Sequence, residues 1–287
     1  HQHESIAHLR ALGKVQLLED KMVAEKPKSK LGIAHTRWAT HGEPSEANAH
    51  PHKSKDRVYI VHNGIIENYI ELRESLVKDG YEFSSQTDSE LIAHLLDLYL
   101  NQGNCMIDAM YLAKKQLDGA YAIAAIDIEN DASLVVARNK SPLLLGLGTD
   151  EMLAASDPLA IGQLTNEFIF LDDGDVAEIS AETYTIFDAD KKEVTREITN
   201  IDISSQATSK GEFRHFMEKE IYEQPEAILN TINGRVGGDD VLDNIFGLGS
   251  TDLFKKVKRI QIVACGTSLH AGRVAANWLS SISELPC

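Results

Sequence analysis

The sequence reads Ala34-His-Thr-Arg-Trp-Ala-Thr-His-Gly42, then Asn48-Ala-His-Pro-His52, then His62-Asn-Gly64. These stretches hold polar side chains of several kinds more densely than an ordinary core does. Arg37 carries a planar fork of N–H donors that matches a carboxylate. Asn63 and Gly64 follow an apolar run, and they can present a side-chain amide and an unhindered backbone N–H to one point.

A carboxylate follows at Asp88, in Gln86-Thr-Asp-Ser-Glu90. A cationic fork, a pair of oxyanion-type donors and a carboxylate suit one kind of ligand. They would hold an α-amino acid by both ends while a nucleophile attacks its side-chain carbonyl.

Each of these features also has an ordinary structural interpretation. Asn-Gly after a strand is a common turn, and a lone arginine is usually a solvated surface charge. His50 and His52 could cap strands, Asp88 could be the N-cap of the helix that follows it, and Trp38 could be a core residue.

Taken together, the motifs resemble a known family. They are His35-Thr-Arg-Trp-Ala-Thr-His-Gly42, Asn48-Ala-His-Pro-His52, Val61-His-Asn-Gly-Ile-Ile-Glu-Asn68 and Thr87-Asp88. They look like those of the class II glutamine amidotransferases, and within that class of the glutamine–fructose-6-phosphate aminotransferases. The similarity resumes at Tyr222-Glu-Gln-Pro225 and Ala264-Cys-Gly-Thr-Ser268, so it covers essentially the whole chain. Phosphoribosyl-transferring relatives carry a similar arginine loop with different residues around it.

The resemblance implies a role for each matching residue. Asn63 and Gly64 would form the oxyanion hole at the glutamine amide carbon. Arg37, with help from Thr40 and His41 in the same loop, would bind the α-carboxylate of glutamine. Asp88 would bind its α-ammonium, and Trp38 would be a gate over the bound glutamine. The glutamine-binding residues would thus be Arg37, Trp38, Thr40, His41 and Asp88.

The nucleophile implied by the resemblance is a cysteine at the mature N-terminus, whose own α-amine takes the proton. This chain starts at His1 and has cysteines only at 105, 265 and 287. Cys105 lies in a helix-like run, where we expect a small buried residue. None of the three suits the role. We therefore expect the chain to be an internal piece of a longer protein, with the opening strand upstream.

Composition narrows the function classes. The chain has 287 residues, 43% hydrophobic and 25% charged, with a net charge of −16. An acidic surface disfavours nucleic-acid binding. Three cysteines without paired spacing argue against a disulfide scaffold. No signal peptide and no apolar run of membrane-spanning length are seen, so we expect a cytoplasmic enzyme.

A metal is not predicted either. His50 and His52 point the same way along an extended segment, but no third ligand at metal spacing accompanies them. Neither a metal nor an organic cofactor is implied by the resemblance.

Periodicity predicts helices first and strands afterwards. Strands are expected at 32–35 and 58–62, and helices at 67–78, 91–100 and 106–117. Short apolar runs then follow as strands at 121–126, 134–137, 143–146, 152–155, 168–171, 175–179 and 184–187. Helices grouped before antiparallel-looking strands favour an α+β layered fold. The resemblance implies more: the four-layer α/β/β/α sandwich of N-terminal-nucleophile hydrolases.

The predicted domains are a class II glutamine amidotransferase domain at 1–201, a polar linker at 202–211, and the beginning of an α/β sugar isomerase (SIS) domain at 212–287. In the last of these, 213–235 is expected to be helical with a break at Pro225. A buried parallel strand is expected at 258–264, followed at once by a helix through Trp278.

The turn between that strand and helix predicts a phosphate cradle made by Gly266, Thr267 and Ser268. A helix start supplies N–H groups and positive potential, and the hydroxyls add donors. A plain helix cap explains the same residues equally well. The resemblance favours a fructose 6-phosphate site.

The predicted function is the synthesis of glucosamine 6-phosphate from glutamine and fructose 6-phosphate, without nucleic-acid or membrane partners, in a protein that the resemblance implies to be a homodimer. The chain alone is not expected to hydrolyse glutamine. Two alternatives stay open: another class II amidotransferase of the phosphoribosyl type, and a non-catalytic sugar-phosphate sensor. The residues upstream of His1 would separate enzyme from sensor.

Overall fold

The computed structural model describes residues 6–37, 42–202, 210–232, 236–237, 240–241, 253–283 and 285–287. It divides into two compact units, His1–Ser209 and Lys210–Cys287. The linker predicted at 202–211 contains this division, and its residues 203–209 lie outside the described ranges. The assignment of 1–201 and 212–287 to two domain families stays a prediction.

An antiparallel sheet of seven strands forms the centre of the first unit. Its strand order is β1-β2-β3-β4-β8-β9-β10, and each neighbouring pair runs antiparallel. The strands are β1 (His52–Ser54), β2 (Val58–Ile66), β3 (Gly119–Asp127), β4 (Asn130–Asn139), β8 (Val176–Ile179), β9 (Tyr184–Phe187) and β10 (Glu193–Val194).

A second antiparallel sheet of four strands has the order β11-β7-β5-β6. A 3-10 turn, Pro158–Ala160, connects two of them. The strands are β5 (Leu144–Leu147), β6 (Met152–Ala155), β7 (Glu167–Phe170) and β11 (Ile198–Asn200).

The helices of this unit differ in how far they are buried. The first, α1 (Val15–Glu25), has no buried residue. Of the next three, α3 is buried on most sides, because its sequence is apolar almost all round. It contacts both neighbouring helices and the strands β1 and β2. The three are α2 (Tyr69–Lys78), α3 (Glu90–Asn101) and α4 (Met106–Gln116).

The apolar core lies in layers set by the alternation of side chains along the strands. One face of the large sheet packs Ile123 and Val135 against the helical residues Leu91 and Leu95. The other face packs its side chains against Leu145 and Ile169 of the small sheet, and the remaining residues of that layer include Val136, Ala177 and Ile179. The predicted α+β class is confirmed, and the described residues show three of the four expected layers: helix, sheet and sheet.

The predicted strand at 32–35 is wrong. No strand forms there, although Leu31 and Ile33 still pack against the core between the sheets. An apolar run forms a strand only where a neighbouring strand can pair with its backbone, and no described strand lies beside this one. The other predicted strands and the three predicted helices of this unit are present, with ends shifted by one to a few residues.

The second unit contains helix α5 (Phe216–Ile232), a short hairpin of β12 (Val236–Gly237) and β13 (Asp240–Val241), and helix α6 (Gly266–Ser283). The predicted break at Pro225 is wrong, because α5 continues through it. Proline removes one N–H donor from a helix, and here the flanking turns stay helical.

The parallel strand predicted at 258–264 is also wrong. No strand is assigned there, and the backbone N–H of Ile260 donates to the carbonyl of Pro286 at 2.9 Å. A parallel strand needs an adjacent strand for its hydrogen bonds, and β12 and β13, the strands of the described part of 210–287, pair only with each other. Within the described ranges, no helix has the length and apolar character that crossing a bilayer requires.

Candidate functional site

Strand β2 carries Asn63 and Gly64 in its interior, opposite Ala122 and Tyr121 of β3. Gly64 has a φ of +141°, and a Cβ there would lie 2.0 Å from the carbonyl oxygen of Ala120. Only glycine fits such a close approach of two backbones. The Asn-Gly pair is therefore a strand position beside an open cavity, and its interpretation as a simple turn is wrong.

Asp88 lies in the loop before α3, with 3% of its surface exposed. Its carboxylate oxygen Oδ2 accepts a 2.8 Å hydrogen bond from the backbone N–H of Ile66, at the end of β2. The N-cap of α3 is Ser89, and it makes no side-chain capping bond. The interpretation of Asp88 as a helix cap is wrong. Its carboxylate instead ties this loop to the strand that bears Asn63 and Gly64.

Arg37 directs its guanidinium at the backbone of its own loop. Nη1 donates to the carbonyl of Glu43 at 3.1 Å, and Nη2 donates to the carbonyl of Gly42 at 2.9 Å. These bonds connect Arg37 to the backbone of residues 42 and 43. The other three predicted residues of the loop, Trp38, Thr40 and His41, lie outside the described residues.

One cavity of about 280 Å³ collects these groups, at the small end of small-molecule sites. Arg37, Asn63, Gly64 and Asp88 all line it. The structure thus brings together four of the predicted glutamine-site residues, which come from three separate segments of the chain.

Histidines form part of the cavity wall, a feature that sequence reasoning missed. The rings of His35 and His50 lie 4.2 Å apart between centroids, and those of His50 and His52 lie 4.6 Å apart. The ring of His62 contacts the hydroxyl of Ser89 through Nδ1 at 2.9 Å. The four histidines were visible in the sequence, but the separation of His35 from His50 along the chain hid that their rings are in contact.

These histidines are held neutral. Burial lowers the pKa of His62 to about 4, against the opposing effect of the nearby Asp88. Burial likewise lowers the pKa of His52 to about 3, and the pKa values of His35 and His50 fall for the same reason. Removing water disfavours the charged imidazolium. Among the described residues, no group of three or more His, Cys, Asp or Glu side chains is placed so that it could hold a metal ion.

Glu90 is a second residue that sequence reasoning missed. It is 2% exposed, and its carboxylate accepts four bonds from Ser84 and Ser85, two from backbone N–H groups and two from hydroxyls, at 2.6–2.8 Å. A buried carboxylate needs such partners. It fixes the loop that leads to Asp88, and a single Glu in an apolar helix gave no signal of this.

In the second unit, Gly266 begins α6 with a φ of +58°. Thr267 and Ser268 lie in the first turn, and both are exposed. Because the preceding strand is absent, the strand–turn–helix arrangement expected for a phosphate cradle is not seen. The three cysteines are exposed; the expectation that Cys105 is buried is wrong, since it lies at the N-cap of α4.

Comparison with known proteins extends these observations. Residues 35–163 match the family described as glutamine amidotransferase domain. The chain is 48% identical over 283 residues to the glutamine–fructose-6-phosphate aminotransferase (isomerizing) of Vibrio parahaemolyticus, covering 99% of this chain and 46% of that protein. Its counterpart from Haemophilus influenzae is 50% identical over 283 residues, covering 98% and 46%.

Among solved structures, glutamine phosphoribosylpyrophosphate amidotransferase from B. subtilis has a TM-score of 0.45 and 23% identity, covering 54% of this chain and 34% of that one. The chain spans about half the length of the curated relatives it matches. Residues 35–163 match a glutamine amidotransferase domain, and about half of all positions along nearly the whole chain are identical to glutamine–fructose-6-phosphate aminotransferases, so this chain is similar to those proteins over nearly its full length.

Proposed function

We propose that the first unit holds the glutamine site of an enzyme that makes glucosamine 6-phosphate from glutamine and fructose 6-phosphate. One observation supports this most directly. Arg37, Asp88 and the Asn63–Gly64 pair border the same cavity, although they come from three segments. The similarity to glutamine–fructose-6-phosphate aminotransferases favours fructose 6-phosphate as the acceptor of the ammonia over a phosphoribosyl compound.

Each group has a task that follows from its chemistry. Arg37 binds the α-carboxylate through charge-assisted bonds. Asp88, already anchored by the Ile66 N–H, binds the α-ammonium through its other oxygen. The glutamine side chain then extends toward Asn63 and Gly64. Their amide and backbone N–H stabilise the oxyanion formed when a nucleophile adds to the carbonyl.

The neutral histidines agree with Arg37 binding the α-carboxylate and Asp88 binding the α-ammonium. Since burial keeps His50 and His62 uncharged, the cavity wall adds no cation that would compete for the carboxylate or repel the ammonium. Thr40 and His41 complete the carboxylate site, and Trp38 acts as the gate over it.

The attacking group is the N-terminal cysteine of the family, since none of Cys105, Cys265 and Cys287 lines the cavity. Ammonia released from glutamine passes to fructose 6-phosphate, whose phosphate is held by Gly266, Thr267 and Ser268 in a SIS-type domain beginning at 212. The reaction needs no metal or organic cofactor. It takes place in the cytoplasm, in a homodimer of the full-length protein.

Calorimetry with L-glutamine tests the first half of the proposal. The chain should bind glutamine, and Asp88→Asn should weaken binding roughly tenfold or more, because a charge-assisted bond to the ammonium is lost. Asparagine can still accept the Ile66 N–H, so the loop should keep its position. Asp79→Asn, an exposed change at the end of α2, serves as the control. Equal affinity in all three proteins would contradict the clamp.

The proposed binding of fructose 6-phosphate is tested in a full-length protein that carries Thr267 and Ser268. Thr267→Ala and Ser268→Ala should raise the KM for fructose 6-phosphate, since each removes a donor worth about 1–3 kcal/mol to a charged ligand. Glutamine hydrolysis without sugar should be almost unchanged. A simple helix cap predicts the reverse: a stability loss of about 1 kcal/mol and an unchanged KM.

A further inference from the structure

Asn48 is a buried amide that connects two segments of the cavity wall. It is 2% exposed. Its Nδ2 donates to the carbonyl of Glu43 at 2.9 Å and to Oε1 of Gln86 at 3.2 Å. Its Oδ1 accepts the backbone N–H of Gln86 at 2.8 Å. The nitrogen of the amide thus contacts both segments, and its oxygen contacts the segment of Gln86.

These two segments are the ones that carry the charged groups of the site. The carbonyl of Glu43 that Asn48 contacts is also the acceptor for Nη1 of Arg37 at 3.1 Å. On the other side, Gln86 lies two residues before Asp88, which is itself fixed to the Ile66 N–H. A continuous series of hydrogen bonds therefore connects the cation to the segment of the carboxylate through one side chain.

Gly42 makes this junction tight. Its φ is +77°, and a Cβ there would lie 2.8 Å from Nδ2 of Asn48 and 3.0 Å from Cβ of Gln86. The two segments therefore meet Asn48 at van der Waals distance, with no space for a sliding adjustment. Close packing of this kind transmits small displacements instead of absorbing them.

An ordinary buried asparagine would only stabilise the loops it joins. Asn48 differs because its contacts lead to both charged ends of the proposed amino-acid clamp and to no other part of the cavity. A ligand held at both ends is sensitive to the spacing of the two groups that bind it.

We propose that Asn48 is a positioning residue that sets the distance between Arg37 and Asp88, and so selects for a ligand with both an α-carboxylate and an α-ammonium. This inference rests on the proposed glutamine site. Removing the amide releases the two segments from each other, so each charged group can still bind one end of a ligand but not both at the right spacing.

The test compares two probes on the 287-residue chain: L-glutamine, which has both charged ends, and glutaramic acid, which lacks the ammonium. Asn48→Ala should weaken glutamine binding about tenfold or more while changing glutaramic acid binding by about threefold at most, so the preference for glutamine falls. Asn48→Asp keeps the shape but loses the donor to Glu43, and it should behave like the alanine variant.

Asn68→Ala is the matched control. Asn68 also joins two segments with both ends of its amide, donating to the carbonyl of Gln116 and accepting from the N–H of Asp118, but its contacts do not lead to Arg37 or Asp88. The Asn68→Ala variant should be less stable, but it should keep the preference for glutamine over glutaramic acid. A preference in Asn48→Ala equal to that of the unsubstituted chain would overturn the positioning role alone. An unsubstituted chain that prefers neither probe would overturn the proposed glutamine site as well.

Discussion

Arg37 and Asp88 are opposite charges that both form hydrogen bonds with backbone groups in this structure. The arginine donates to two carbonyls of its own loop, and the aspartate accepts one N–H from β2. Such bonds hold each side chain in place before any ligand arrives, which lowers the ordering cost of binding. At the scale of single residues, the site is preorganised by main-chain contacts.

Arg37→Lys tests the need for a fork at this position. Lysine carries the same charge, but it cannot make the two-pronged contact with a carboxylate. We expect glutamine binding to weaken by about 2 kcal/mol, measured by calorimetry. Arg57→Lys is the control, because Arg57 makes a two-pronged contact with Asp127, and neither residue lines the cavity. Similar glutamine affinities for wild type and Arg37→Lys would refute the clamp.

Strand β2 is the element on which the site depends. It pairs with β3 along all nine residues, from Val58 to Ile66. Gly64 lies where the backbone of β3 leaves no room for a Cβ, and Asn63 beside it lines the cavity. Because β3 pairs with β2 through Asn63 and Gly64, the two proposed oxyanion donors lie on a strand instead of a loop.

Gly64→Ala should show how tight this contact is. The new Cβ would meet the Ala120 carbonyl oxygen at 2.0 Å, in a backbone conformation that side chains disfavour. We expect the free energy of unfolding to fall by about 3 kcal/mol or more, measured by urea denaturation.

Gly80→Ala provides the comparison for that experiment. Gly80 also has a positive φ, +88°, but a Cβ there would meet nothing within 4 Å. Gly80→Ala should lower the free energy of unfolding by only about 1–2 kcal/mol, which is the cost of the backbone conformation alone. Equal losses for the two variants would mean that the β2–β3 contact is looser than the structure indicates.

At the scale of the whole molecule, the first unit buries a histidine cluster by closing loops and strands around it. His35, His50 and His62 come from three segments and line the cavity, and the ring of His52 lies against that of His50. The pKa of each is lowered by burial. In the unfolded chain each ring returns to its ordinary pKa of 6.5 and takes up a proton more readily.

Stability of this unit should therefore depend on pH in a defined window. Well above pH 6.5 the histidines are neutral in both the folded and the unfolded chain, so they do not make the free energy of unfolding depend on pH. Below pH 6.5 the unfolded chain binds more protons, so the free energy of unfolding falls as the pH drops from 6.5 toward the folded value of about 4 for His62. Each buried histidine adds a slope of up to about 1.4 kcal/mol per pH unit.

Urea denaturation at about pH 7.5 and about pH 5.5 measures this effect. His62→Gln removes one titrating ring and should make the difference between the two conditions smaller. His215→Gln changes an exposed histidine and should leave that difference as it is in the wild type. An identical pH dependence in all three proteins would show that His62 accepts a proton in the folded state as easily as in the unfolded one.

The spacing of apolar residues along the chain was sufficient to predict most of the helices and strands. The helices α2, α3 and α4 and the strands from β2 to β9 follow from periodicity, because the spacing of apolar side chains is a property of consecutive residues. The segments 32–35 and 258–264 have equally apolar patterns and form no strand. Strand formation there depends on a pairing partner that the segment itself does not encode.

The sequence by itself determined which chemical groups the site contains: the arginine, the Asn-Gly pair and the carboxylate are legible as motifs, and together they carry the family resemblance. Tertiary structure alone decided the partners and charge states of those groups. Asp88 accepts from Ile66 instead of capping a helix, Asn48 joins two segments, and the histidines lose their charge. Hydrogen-bond partners and desolvation arise only when segments distant in the chain pack together, and neither is a property of any one stretch of sequence.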